Sequence, residues 1–133
     1  GKGLVGQVME VGPNWAKVLA IIDEQSRVSG TVSRTQDQGI IQGTLGSSGK
    51  RECRMMYLPA DSAVQSGDMV VTSNISKSFP KNVIIGEVTG IGDDSSGFVK
   101  TVTVKPSVDF DRLRSVFVIT NAIDESYYPS EGK

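Results

Sequence analysis

A serine three residues ahead of a lysine, Ser47-Ser48-Gly49-Lys50, is the spacing in this chain that comes nearest to a catalytic pair. In the Ser-x-x-Lys arrangement of penicillin-binding enzymes an amine one helical turn from a hydroxyl helps to activate it for acyl transfer. Here the four residues lie between glycines, which is loop rather than helix, and neither Ser-Asp-Asn nor Lys-Thr-Gly accompanies them. They read as a hairpin tip. The chain holds no histidine, which excludes Ser-His-Asp and Cys-His hydrolysis, because both need an imidazole to carry the proton. With one cysteine, Cys53, there is no intrachain disulfide, and a structural zinc site lacks its usual ligands. Cys53 alternates with charged neighbours and reads as a small buried apolar side chain.

Other candidate motifs fail on spacing or context. Gly43 to Arg51 resembles a phosphate loop, but its glycine interval is one residue too long, and Arg51 stands where magnesium coordination needs Ser or Thr. Gly1-Lys2-Gly3-Leu4-Val5-Gly6 matches a dinucleotide fingerprint by letters, without the preceding strand and following helix that give the pattern meaning. Asp93-Asp94 before Ser-Ser-Gly reads as a solvated turn, and Asn74-Ile75-Ser76 as a chance glycosylation sequon. No catalytic residue, cofactor site or metal site is assigned.

Charge does not select a partner either. Lys and Arg number 14 against 15 Asp and Glu, a formal net charge of -1, so no overall positive field draws nucleic acid or anionic lipid. Lys50, Arg51 and Arg54, interrupted by Glu52, read as a solvated strand face. The few aromatics, Trp15, Phe98, Phe110 and Phe117 among them, sit in apolar patterns and are expected in the core rather than on a base-stacking surface. No segment approaches the roughly 20 apolar residues of a membrane span. Gly1-Lys2-Gly3 leads straight into a strand-like segment, as an internal cut of a longer protein would.

The elements that must position any site are strands. Gly67 to Gly86 is the most informative stretch: Val70, Val71 and Thr72, then Val83, Ile84 and Ile85, are β-branched and favour extended backbone. Gly67 and Asp68 open the first run as a turn, and Phe79 to Asn82 open the second. Strands are also expected over Leu4–Glu10 and Trp15–Ile22 as a hairpin, Arg27–Ser33 with Gly30 as a bulge or close-packing point, Gly39–Gly43, Cys53–Leu58, Phe98–Lys105 and Ser115–Thr120. Asp109–Leu113 suits one helical turn, in which Asp109 and Asp111 hold backbone N–H groups and Arg112 bridges them. Short strands with frequent turn signals and no longer helix give an all-β barrel or sandwich.

Gly3-Leu-Val-Gly-Gln-Val, Trp15-Ala-Lys-Val-Leu, Arg27-Val-Ser-Gly, Gly67-Asp-Met-Val-Val-Thr-Ser, Phe79-Pro-Lys, Ile85-Gly-Glu-Val and Asp109-Phe-Asp-Arg-Leu together resemble the bacterial rod shape-determining family MreC, in order over Gly3 to Ile119. The resemblance implies two small six-stranded β-barrels in a chymotrypsin-like arrangement, without catalytic residues since histidine is missing. It places 1–54 and 106–120 in a first barrel whose upstream strands are missing from this chain, 55–105 in a second, and 121–133 in a flexible tail. It implies a non-catalytic scaffold of the cell-elongation machinery on the outer side of the cell membrane, held by an N-terminal membrane helix absent here. Its partners would be a penicillin-binding protein, other elongation proteins and further copies of itself, with no nucleic acid. The family usually has glycine where Asn74 and Asn82 stand, so both are expected at positive φ, which asparagine tolerates. Sheet edges and the loop holding Ser78, Phe79, Pro80 and Lys81 would supply partner contacts, Phe79 either as an apolar prominence or packed under its own barrel. Two rivals remain from other classes: a hydrolase with a Ser-Lys pair, and an oligonucleotide-binding barrel.

Overall fold

The computed structural model describes residues 3–46, 49–74, 79–93, 97–113, 116 and 118, with Asp93 described by its backbone alone. Eight strands follow one another: β1 Gly6–Val11, β2 Ala16–Ala20, β3 Arg27–Val32, β4 Gln38–Leu45, β5 Arg51–Pro59, β6 Met69–Thr72, β7 Ile84–Asp93 and β8 Val99–Pro106. One short 3₁₀ turn, Phe110–Arg112, completes the described elements. The fold is all-β. β1 and β2 form a two-stranded sheet, and the other six close a barrel in the order β3-β4-β5-β8-β7-β6.

Alternation along each strand builds the barrel interior. On β5, Cys53, Met55 and Leu58 are fully buried while Arg54 and Tyr57 are exposed. Val102 and Val104 do the same on β8, opposite Met55 and Cys53 in register. Closure depends on β3 meeting β6, with Gly30 opposite Thr72 and Val32 opposite Val70. Gly30 serves as a close-packing point and not as a bulge, since it pairs in regular register with Gly39. A β-carbon there would collide with the Ile41 side chain.

The β1–β2 hairpin is tied to the barrel at its base. Leu4 N–H donates to the Ile84 carbonyl at 2.8 Å, and Ile21 N–H to Val5 at 2.9 Å. Ile21 is fully buried in the barrel core. Gly43 makes room for the chain that follows, because a β-carbon at that position would overlap the Ile22 backbone.

Three expectations change. The closed barrel runs from Arg27 to Pro106, so the boundary expected between 54 and 55 falls inside β5, and β3 and β4 belong with β5 to β8. The cause is non-local: the β4–β5 hairpin keeps both strands in one ladder, and β3 then finds β6 about forty residues on. Trp15 and Phe98, expected in the core, are 54% and 81% exposed, because both stand at hairpin ends beyond the packed interior. Phe110 packs against the core as expected. Phe117, the Ser115–Thr120 strand for the most part and the tail 121–133 lie outside the described residues.

Candidate partner-binding surface

A polar cluster surrounds Asp68, at the turn between the β5–β6 connection and β6. Gly67 adopts φ 97°, which an L side chain resists, and delivers the chain into the turn. The Asp68 carboxylate accepts from Arg34 Nε at 2.9 Å, from Arg34 Nη2 at 3.0 Å and from the Gln65 N–H at 2.8 Å. Arg34 Nη2 also donates to the Ala63 carbonyl at 2.6 Å. The guanidinium hydrogen bond holds the Asp68 carboxyl below the ordinary carboxylate range, against the opposing effect of burial. Beside it the Ser62 hydroxyl donates to Asp37 Oδ2 at 2.5 Å, and Lys100 Nζ donates to the Ser62 carbonyl at 3.0 Å. The cluster clasps the β3–β4 turn to the β5–β6 connection. Ser62 and Lys100 come close without forming a nucleophile pair, since the amine binds a carbonyl and the hydroxyl is engaged by a carboxylate.

The loop expected to touch partners is pinned inward at one residue and open at others. Phe79 is 6% exposed and belongs to the barrel core, so of its two readings the packed one is observed. An apolar ring gains more by closing the barrel end than by standing in water. Pro80 is half-buried, its carbonyl accepting from Thr72 Oγ1 at 2.6 Å. Thr72 Oγ1 in turn accepts from Val83 N–H at 2.8 Å. Lys81 and Asn82 are exposed, and Asn82 takes φ 63° as expected. Asn74 is exposed but is not among the positive-φ residues, because the chain leaves β6 there without a left-handed step. Ser78 lies outside the described residues. At the 3₁₀ turn, Asp109 Oδ1 accepts from the Asp111 N–H at 3.1 Å, and Arg112 Nε approaches Asp109 Oδ2 at 3.8 Å.

Of the remaining candidates for chemistry, the cysteine is sequestered. Cys53 is fully buried with Sγ 3.5 Å from the Ile21 carbonyl, and burial, reinforced by the charge of Glu52, pushes its thiol up to about 12. Lys50 is exposed at the tip, and Ser47 and Ser48 lie outside the described residues. Among the described residues no three His, Cys, Asp or Glu side chains gather as a metal site would require.

The surface offers exposed apolar side chains instead. Val8, Met9, Val11, Trp15 and Val18 are exposed on the β1–β2 hairpin. Each of these strands pairs with the other alone among the described strands. On the barrel, Tyr57 takes φ 69° and is 63% exposed. Nothing in the sequence marks it, because Met-Tyr-Leu inside a β-rich run reads as plain strand and tyrosine is not a turn former.

Residues 1–120 match the family described as rod shape-determining protein MreC, barrel core. The chain belongs to the MreC family. It is 29% identical over 118 residues to the cell shape-determining protein MreC of Haemophilus influenzae, covering 89% of this chain and 33% of that protein. A solved MreC structure superposes with a TM-score of 0.75 at 26% identity, over 85% of this chain and 62% of the other. The fold is also shared with MreC of Helicobacter pylori, solved in a complex with penicillin-binding protein (PBP2), at a TM-score of 0.58 and 19% identity over 74% of this chain and 59% of the other. The chain spans between a third and about half the length of the curated relatives it matches. No described helix is long and apolar enough to cross a membrane.

Proposed function

We propose that this chain is the β region of a non-catalytic, extracytoplasmic scaffold that maintains cell shape by holding a penicillin-binding protein, other elongation proteins and copies of itself. Membership of the MreC family over residues 1–120 carries this reading. The solved complex of the Helicobacter pylori relative with a penicillin-binding protein supports the partner class. The geometry agrees with holding rather than transforming: polar groups are bonded to one another, the thiol is buried, and β1 and β2, paired with each other alone among the described strands, offer backbone partners for an added strand. An anchor ahead of this segment would keep it at the outer membrane face. The first unit would be built on β1 and β2 and joined by 106–120; Ser107 and Val108 already stand beside Gly3.

Shape rescue tests it. In cells of the parent bacterium depleted of the full-length protein, restored full-length protein should return the rod form, and a version lacking residues 3–118 should leave cells rounded. Rods sustained by the deleted version would end the proposal.

A further inference from the structure

The outer face of the barrel carries a feature that the interior does not require. Register passes from Met55 opposite Val102 to Leu58 opposite Lys100, so Met56 and Tyr57 both stand across from the single residue Thr101. Met55 and Leu58 point into the core, fully buried, which leaves the two intervening side chains together on the outside, Met56 half-buried and Tyr57 63% exposed. This bulge holds Tyr57 at φ 69°, a left-handed conformation that is an outlier for a bulky residue. Such strain, retained on a surface where glycine or asparagine would relieve it, points to use of the side chain.

The same face carries two arginines without a direct ion pair among the described residues, Glu52 standing two residues from Arg54 on the same side of β5. Arg27, Gln42 and Arg54 are cross-strand neighbours, and Arg54 is two residues from Met56 on the same side of β5. Arg27 and Arg54 are exposed, and among the described residues neither lies in an ion pair with a carboxylate. Arg27 is held by the Glu24 and Ser26 carbonyls instead, through Nη1 at 2.7 and 3.1 Å. A rigid aromatic beside a methionine, edged by arginines, has the composition of the centre of a protein interface.

We propose that the outer face of β3, β4, β5 and β8, centred on Tyr57 and Met56 and flanked by Arg54 and Arg27, is a docking surface for a folded partner protein that presents an apolar side chain next to carboxylates. The partner class rests on the scaffold reading above, a penicillin-binding protein. Tyr57 fills the partner's apolar recess, and the arginines meet its acidic rim.

Full-length protein and the organism's own penicillin-binding proteins, in detergent, provide the test. Tyr57→Gly relieves the left-handed strain, so it should hold or raise the melting temperature while weakening capture about tenfold. Arg54→Glu should weaken capture by a similar factor and remove part of its salt dependence. A photo-crosslinking amino acid at position 57 should join to a penicillin-binding protein. Capture by the parent protein that both variants leave unchanged would overturn the assignment of this face while the scaffold reading stands. Absence of any capture by the parent protein would remove both. A crosslink from position 57 to a second copy of this chain would replace the proposed partner, and a fall in melting temperature with Tyr57→Gly at undiminished capture would make the bulge merely structural.

Discussion

Single side chains in this barrel are committed to structure, Asp68 to the clasp with Arg34 and Cys53 to the core. Asp68 has its carboxyl held below the usual range by Arg34, and the sign follows: the unfolded chain binds a proton on this group at higher pH than the folded chain does. Its contribution is complete above the unfolded carboxylate value of about 4 and is lost as pH falls from there through the lower folded value. Asp68→Asn should therefore lower the melting temperature at neutral pH and flatten the loss of stability on acidification, measured by thermal melts between neutral pH and about pH 3. Equal acid slopes in parent and variant would show that the carboxylate is not the group responsible. Cys53 offers a second test. A fully buried thiol pushed up to about 12 presents almost no thiolate to reagent, so the native protein at mild alkaline pH should resist an aromatic disulfide reagent and react fully in denaturant. Rapid labelling of the native protein would mean that the barrel end near Ile21 opens freely.

Strands and turns carry the next level, where sequence legibility divides. Alternation around Cys53 and the β-branched runs near Val70 and Ile85 foretold strands, since period-two burial is a local property. The Asp109 turn was equally plain, because a carboxylate ahead of a short helical turn caps it locally. What escaped local pattern were the bulges at Met55/Leu58 and Val88/Gly90 and the β3–β6 closure, which depend on partners distant in the chain. Which of its two readings Phe79 follows depends on the same non-local packing, since its place in the core is made by distant strands rather than by its loop. Gly43 shows how such a tertiary demand is met by one residue. Gly43→Ala should cost about 1–3 kcal/mol in a denaturant melt, because the added carbon must displace the Ile22 backbone rather than a flexible side chain. An unchanged midpoint would mean that the chain entering β3 is not packed against β4 as described.

At the scale of the whole molecule, a closed six-stranded barrel hides its own edges, while β1 and β2 have no third strand beside them among the described residues. The two are not independent, since Ile21 is buried in the barrel core and Leu4 and Ile22 pack against it. The all-β class was legible in turn spacing and strand composition, and the family in the ordered run of segments from Gly3 to Ile119. The docking face was not, because neither Tyr57 nor Arg54 belongs to a motif and their meeting depends on a bulge. The central proposal, that these sheets hold a penicillin-binding protein, is tested most directly by titrating the full-length protein against its organism's penicillin-binding protein by interferometry. The account predicts saturable binding that Tyr57→Gly and Arg54→Glu weaken without unfolding the barrel; no binding of the parent protein at any concentration reached would contradict it.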